Sequence, residues 1–157
     1  MILISACLLG RPVRYDGGHC LDQALMPLLD QGLALAVCPE QLGGLPTPRL
    51  AAEIIGGDGA DVLAGRAWVC DASGADVSKA YIDGAHRAWA LVQQQGAMAV
   101  ILKANSPSCG SRTIYDGRFQ ACLKAGMGVT AALLHEHGVV VCDETDVAAA
   151  LNTLSSA

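Results

Sequence analysis

Met1-Ile-Leu-Ile-Ser-Ala-Cys7 is a short apolar run that ends on a thiol. The arrangement returns at Leu33-Ala-Leu-Ala-Val-Cys38 and again at Ala97-Met-Ala-Val-Ile-Leu102, which Cys109 follows a few residues later. Apolar runs of this length bounded by turn residues read as buried strands. In an open α/β sheet, functional groups gather beyond the carboxyl ends of the strands, so residues far apart in sequence meet there. Three of the seven cysteines thus share one kind of position, and their thiols are expected to converge.

Outward from these runs, strand-like segments near 2–6, 33–37, 66–70, 97–102 and 138–142 alternate with helical spacing near 21–31, 78–95, 128–137 and 144–154. The alternation predicts an α/β fold, three-layered and Rossmann-like, with a mostly parallel sheet and helices on both faces. Ala80, Tyr81, Ala85, Ala88, Trp89, Leu91 and Val92 recur at helical intervals, and Gly96 supplies a stop. The turn-rich stretch 55–66 is expected to lead into a short hairpin at the sheet edge. It marks no domain boundary, so residues 1–157 are read as one domain, a size at which 52% hydrophobic content builds a substantial core. Tyr-Asp-Gly occurs at 15–17 and again at 115–117, which two similar turns beside one site would explain.

A net charge of −5 with ten dispersed basic residues argues against a grip on duplex nucleic acid. No apolar stretch reaches membrane-spanning length, and the amino terminus lacks the basic start of a signal peptide. The expected location is the cytoplasm, where thiols stay reduced and clustered cysteines serve metal binding or catalysis rather than disulfides. The sequence does not fix an oligomeric state.

Three segments carry the chemistry. Cys38-Pro-Glu-Gln-Leu-Gly-Gly-Leu-Pro-Thr-Pro-Arg49 joins a thiol to a carboxylate on a loop that its prolines restrict and its glycines allow to pack closely, holding Glu40 beside Cys38. Lys103-Ala-Asn-Ser-Pro-Ser-Cys-Gly-Ser-Arg112 is rich in small donors. There Ser106, Ser108, Ser111 and backbone N–H groups are candidates to surround an anion, with Lys103 or Arg112 adding charge. Cys7-Leu-Leu-Gly-Arg-Pro-Val-Arg-Tyr-Asp-Gly-Gly18 is placed to close over a ligand, although Arg11 and Arg14 read equally well as solvated loop charges. No Cys-x-x-Cys pair suggests structural zinc, which leaves an iron–sulfur cluster or a three-ligand catalytic zinc open. Cys20, Cys70, Cys122 and Cys142 lack the loop context and read as core or incidental.

Taken together, Ile4-Ser-Ala-Cys-Leu-Leu-Gly10 with Val13-Arg-Tyr-Asp-Gly17, the segment 38–49, and Ser106-Pro-Ser-Cys-Gly110 with Ile114-Tyr-Asp-Gly117 resemble the thiouracil desulfidase family over nearly the whole chain. The resemblance implies a [4Fe-4S] cluster held by Cys7, Cys38 and Cys109, with one iron free of a protein ligand. It also implies an enzyme that removes sulfur from a thiolated pyrimidine, 4-thiouracil or 4-thiouridine monophosphate, without net redox change and with sulfide release. A thiocarbonyl sulfur is a soft ligand suited to such an iron. In that reading Glu40 activates water or relays protons, and Ser106 orients the ring or passes a proton, with Ser108 competing for the role. Lys103, Arg112 and Arg49 are the cations available to a nucleotide. Asn105 stands where the family pattern has a basic residue. The alternatives are cluster-dependent sulfur transfer on another thio-compound, and a non-catalytic metal- or anion-binding α/β module.

Overall fold

Residues 1–155 are described in the computed structural model, so residues 156 and 157 of the expected 1–157 domain lie outside it. In chain order the elements are β1 (Ile2–Ser5), α1 (Met26–Asp30), β2 (Ala34–Val37), α2 (Pro39–Leu42), β3 (Ala52–Ile55), α3 (Gly59–Leu63) and β4 (Trp68–Asp71). They continue with α4 (Ser78–Gln95), β5 (Ala99–Leu102), β6 (Thr113–Tyr115), β7 (Leu123–Ala125), α5 (Val129–Glu136), β8 (Val140–Asp143) and α6 (Ala148–Ser155).

Strands β2, β1, β5 and β8 pair in that order, all parallel. Both faces of the sheet are covered, and the pleat sorts the side chains. Ile2 and Ile4 of β1, with Ala99 and Ile101 of β5, pack toward Leu28 and Leu29 of α1 and Ala150 and Leu154 of α6. Leu3, Val100 and Leu102 point the other way, toward Ala88 and Val92 of α4 and Ala131 and Leu134 of α5. Strands buried on both faces are apolar at every position, which is why these runs are continuous rather than alternating.

The order of the strands puts the site in its place. From β1 the chain crosses to β2 on one side, and from β5 it continues to β8 on the other. The connections leave in opposite directions between β1 and β5, which opens a crevice at their carboxyl ends. Cys7, Cys38 and Cys109 follow β1, β2 and β5, three adjacent strands.

The stretch expected to form a hairpin at the sheet edge is built differently. β3 and β4 do pair antiparallel, but as a separate two-stranded sheet, and α3 lies between them in sequence. Asp58 caps α3 through a reciprocal bond with Asp61, so the turn-rich composition encodes a helix start rather than a tight turn. The run at 66–70 is therefore not part of the parallel sheet. Ile54 and Val69 of this pair, Tyr81 and Ala85 of α4, and Val129 and Leu133 of α5 form a third apolar cluster. A second small hairpin, β6–β7, arises from strands of three residues, too short to show periodicity in the sequence.

Helix α2 carries Glu40 and lies against α4 at a backbone-to-backbone contact that two glycines make feasible. A Cβ at Gly84 would sit 2.1 Å from the Pro39 carbonyl oxygen, and one at Gly43 would sit 2.0 Å from that of Ala80. Gly84→Ala is expected to cost about 1–3 kcal/mol through overpacking. It should lower Tm by several degrees in a thermal melt, and push α2 away from the cavity it lines.

Candidate active site

Beyond the carboxyl ends of β1, β2 and β5 lies a cavity of about 400 Å³, within the range of small-molecule sites. Cys7, Cys38 and Cys109 all line it, together with Ser5, Arg14, Tyr15, Glu40, Arg49, Glu53, Tyr81, Lys103, Asn105, Ser106, Tyr115 and Phe119. All seven cysteines are free thiols, and Cys20, Cys70, Cys122 and Cys142 do not line the cavity.

Each thiol is delivered by a short exit from its strand. β1 runs directly into a 3-10 turn, Ala6–Leu9, that buries Cys7. Cys38 remains extended at the start of α2, where Pro39 fixes the first helical residue. The backbone amides of Gln41 and Glu40 lie near its sulfur and favour its ionised form. Cys109 sits in a turn whose geometry Ser106 sets, because the Ser106 Oγ accepts from the backbone N–H of Cys109 at 2.7 Å and of Ser108 at 3.2 Å. The Ser5 hydroxyl donates to the Cys109 sulfur at 3.9 Å and accepts the Lys103 amide at 2.9 Å, tying β1 to β5 at the cavity floor.

Burial pushes the Cys7 thiol up to about 11, with Cys20 and Cys38 adding and Lys103 and Arg14 opposing. Burial also raises Cys38, with Glu40 adding to the shift, and raises Cys109, with Glu40 and Cys38 adding. With their ionisation opposed by burial and by one another, the three thiols become thiolates where a positive group stands among them. Among the described residues, no three His, Cys, Asp or Glu side chains close tightly enough around one point to hold a single metal ion. No histidine lines the cavity, and an all-thiolate donor set with hydrogen bonds to its sulfurs fits an iron–sulfur cluster.

Glu40 is anchored from one side. Its Oε2 accepts from Arg49 Nε at 2.8 Å and also from Arg49 Nη2, and Tyr81 lines the cavity near the same carboxylate. Burial, and then the Glu40 charge, keeps the Tyr81 phenol protonated well above its ordinary range. The remaining Arg49 donors reach the Val13 carbonyl at 3.1 Å, the Pro46 carbonyl at 3.2 Å and the Thr47 hydroxyl at 3.1 Å. A guanidinium has five N–H donors, and protein acceptors take all of Arg49's. It lines the cavity as a brace that joins loop 11–18 to α2, with no donor left for a phosphate.

The other expected substrate contacts divide. Lys103 and Ser106 line the cavity, and Lys103 Nζ pairs with Glu144 at 2.6 Å. Ser108, Ser111 and Arg112 do not line it. Ser108 is buried against the Thr130 hydroxyl at 2.9 Å. Ser111 donates to Asp143 at 3.2 Å, and Arg112 pairs with the same carboxylate at 3.2 Å. Asp143 at the end of β8 thus draws both side chains away from the cavity.

Several cavity residues carried no signal in the sequence: Ser5, Glu53, Tyr81 and Phe119. The paired Tyr-Asp-Gly turns were a signal, since Tyr15 and Tyr115 both line the cavity.

A profile of the 2-thiouracil desulfurase family matches residues 2–146. The chain belongs to this family. It is 49% identical over 147 residues to the protein YbbK of Bacillus subtilis (strain 168), covering 94% of this chain and 97% of that one. Its structure is similar to that of a solved protein described as the [4Fe-4S]-dependent thiouracil desulfidase TudS. The TM-score is 0.87 and the identity 44%, over 99% of this chain and 98% of the other. At that similarity the parallel sheet with its surrounding helices is shared.

Proposed function

We propose that this chain is a [4Fe-4S]-dependent enzyme that converts a thiolated pyrimidine to its carbonyl form and releases sulfide. The observation that carries the reading is the convergence of three thiols, two of them buried, from the ends of adjacent parallel strands on a cavity that also holds Glu40 and Ser106. Cys7, Cys38 and Cys109 would hold the cluster. When bound, it supplies a soft Lewis-acidic iron for the thiocarbonyl sulfur.

The protein's own groups account for the remaining steps. Both lone pairs of the Ser106 oxygen are committed to backbone N–H groups, so its proton is available to donate to a ring atom. Glu40, braced on one oxygen by Arg49, accepts a proton from the water that replaces sulfur at carbon. Val37, Leu50 and the methyl-bearing Ala51 and Ala52 supply an apolar wall to the same cavity, which limits access of bulk water to the reacting carbon. Proteins loaded anaerobically should contain iron and acid-labile sulfide in equal amounts and show the broad visible absorption of a cluster. Zinc alone, or no metal, would contradict the reading.

The phosphorylated substrate is proposed as the preferred one. Arg14 lines the cavity and lies over the Tyr15 ring at 5.7 Å, and among the described residues no carboxylate pairs with it. With Arg49 saturated, Arg112 held by Asp143 and Lys103 paired with Glu144, Arg14 is the cavity cation that favours a monophosphate. A charged hydrogen bond contributes about 1.5–3 kcal/mol. Arg14→Ala should therefore raise KM for 4-thiouridine monophosphate about tenfold or more, and leave KM for 4-thiouracil nearly unchanged. Equal KM for base and monophosphate in the unaltered protein would remove the phosphate contact and leave the desulfuration proposal standing.

A further inference from the structure

The turn joining β6 to β7 forms one wall of the cavity through Phe119 and Ala121. Phe119, the only phenylalanine of the chain, has φ of 56°, and Ala121 has φ of 57°. Two non-glycine residues in the left-handed region within one short turn are uncommon, and each conformation persists only where the surroundings impose it.

A buried carboxylate holds the turn at Phe119. Glu53 on β3 is 8% exposed, and its Oε1 accepts from the backbone N–H of Gly117 at 2.9 Å and of Phe119 at 3.2 Å. Gly117 has φ of 93° and lies so close to β3 that a Cβ would stand 2.7 Å from the Ile54 carbonyl oxygen. The turn is pinned from beneath, yet the Phe119 side chain is not buried by this pinning: the residue is 39% exposed and borders the cavity. A buried carboxylate and a strained backbone thus both serve to present an apolar ring to a cavity. On the loop 11–18 side the cavity is bordered by Tyr15, 42% exposed.

We propose that Phe119 is the residue on which the pyrimidine ring stacks, and that Glu53 is the positioning residue that holds it at the cavity. This rests on the desulfidase reading for the identity of the ligand. A flat heteroaromatic ring presents a π-face to an aromatic side chain, and such stacking is tolerant of the ring's substituents. It therefore selects planar thio-heterocycles over non-planar thioamides or thiols of similar size.

The test uses cluster-loaded protein and uracil, which lacks the sulfur that would engage iron. Calorimetric titration should show uracil binding about tenfold or more weaker in Phe119→Ala than in the unaltered protein, with affinity retained in Phe119→Tyr. KM for 4-thiouracil should rise by a similar factor in Phe119→Ala while kcat changes little. Glu53→Ala should weaken uracil to a similar extent, and Glu53→Ala combined with Phe119→Ala should be no weaker than either alone, because one residue acts through the other. Equal uracil affinity in Phe119→Ala and the unaltered protein overturns the proposal, whether or not the Glu53 variant folds. Sulfide release without measurable uracil binding overturns it too, and leaves the desulfidase reading intact. Uracil binding that depends on Phe119, with no sulfide released from any thiopyrimidine, upholds the stacking and overturns the desulfidase reading.

Discussion

Cys7→Ala, Cys38→Ala and Cys109→Ala should each abolish retention of the cluster, while Cys20→Ala, Cys70→Ala, Cys122→Ala and Cys142→Ala retain it. The three residues line one cavity and the four do not. Thiolates anchor iron–sulfur clusters directly, and with only two left a cluster loses a corner of its attachment and part of its charge balance. Cys20 is the most demanding control, because its amide bonds the Cys7 carbonyl at 2.9 Å and its thiol lies near enough to add to the upward shift of Cys7. Iron and sulfide content after anaerobic reconstitution decides the matter. Full occupancy in any of the first three variants would remove the proposed ligand set, and loss of the cluster in Cys20→Ala would enlarge it.

Glu40→Gln should leave the cluster in place and lower turnover by about 10²–10⁴-fold, the usual contribution of general acid–base catalysis. The amide preserves the shape of the side chain and can still accept one bond from Arg49, but it takes no proton from water. The fold should tolerate the change, since the other Arg49 donors are engaged by Val13, Pro46 and Thr47. Sulfide release is to be compared on samples matched for cluster content and Tm. Rates equal to those of the unaltered protein would exclude Glu40 as the proton acceptor and direct attention to Ser106.

The legible part of this site was the part that sits close to a strand end. Cys38 follows β2 directly and Cys7 lies two residues beyond β1, so fixing the strand also fixes where the thiol emerges. The parallel sheet was legible for the same reason, because strands buried on both faces leave continuous apolar runs.

Side-chain destinations farther along the loops were not legible. Arg112 and Ser111 lie in the donor-rich segment after β5, yet Asp143, more than thirty residues later, holds both. Arg49 sits among residues suited to binding an anion, yet its donors go to Glu40, Val13, Pro46 and Thr47. Arg14, which read equally well as a solvated charge, lines the cavity with no carboxylate paired to it among the described residues. Which of several loop cations faces a ligand depends on where a distant carboxylate lies, and loop composition carries no record of that. Glu53 and Phe119 were hidden for a related reason. They sit on a four-residue strand and a hairpin tip whose partnership is set by hydrogen bonds across more than sixty residues.

On the proposed function, sulfur is removed from a thiopyrimidine at an iron–sulfur site assembled by this chain, without net redox change. The most direct test is anaerobic incubation of 4-thiouracil with cluster-loaded and cluster-free protein, with no reductant added, following uracil and sulfide together. Equimolar uracil and sulfide are expected over many turnovers from the loaded protein and none from the cluster-free protein. A fully loaded protein that yields no uracil, or equal rates from the two samples, would contradict it.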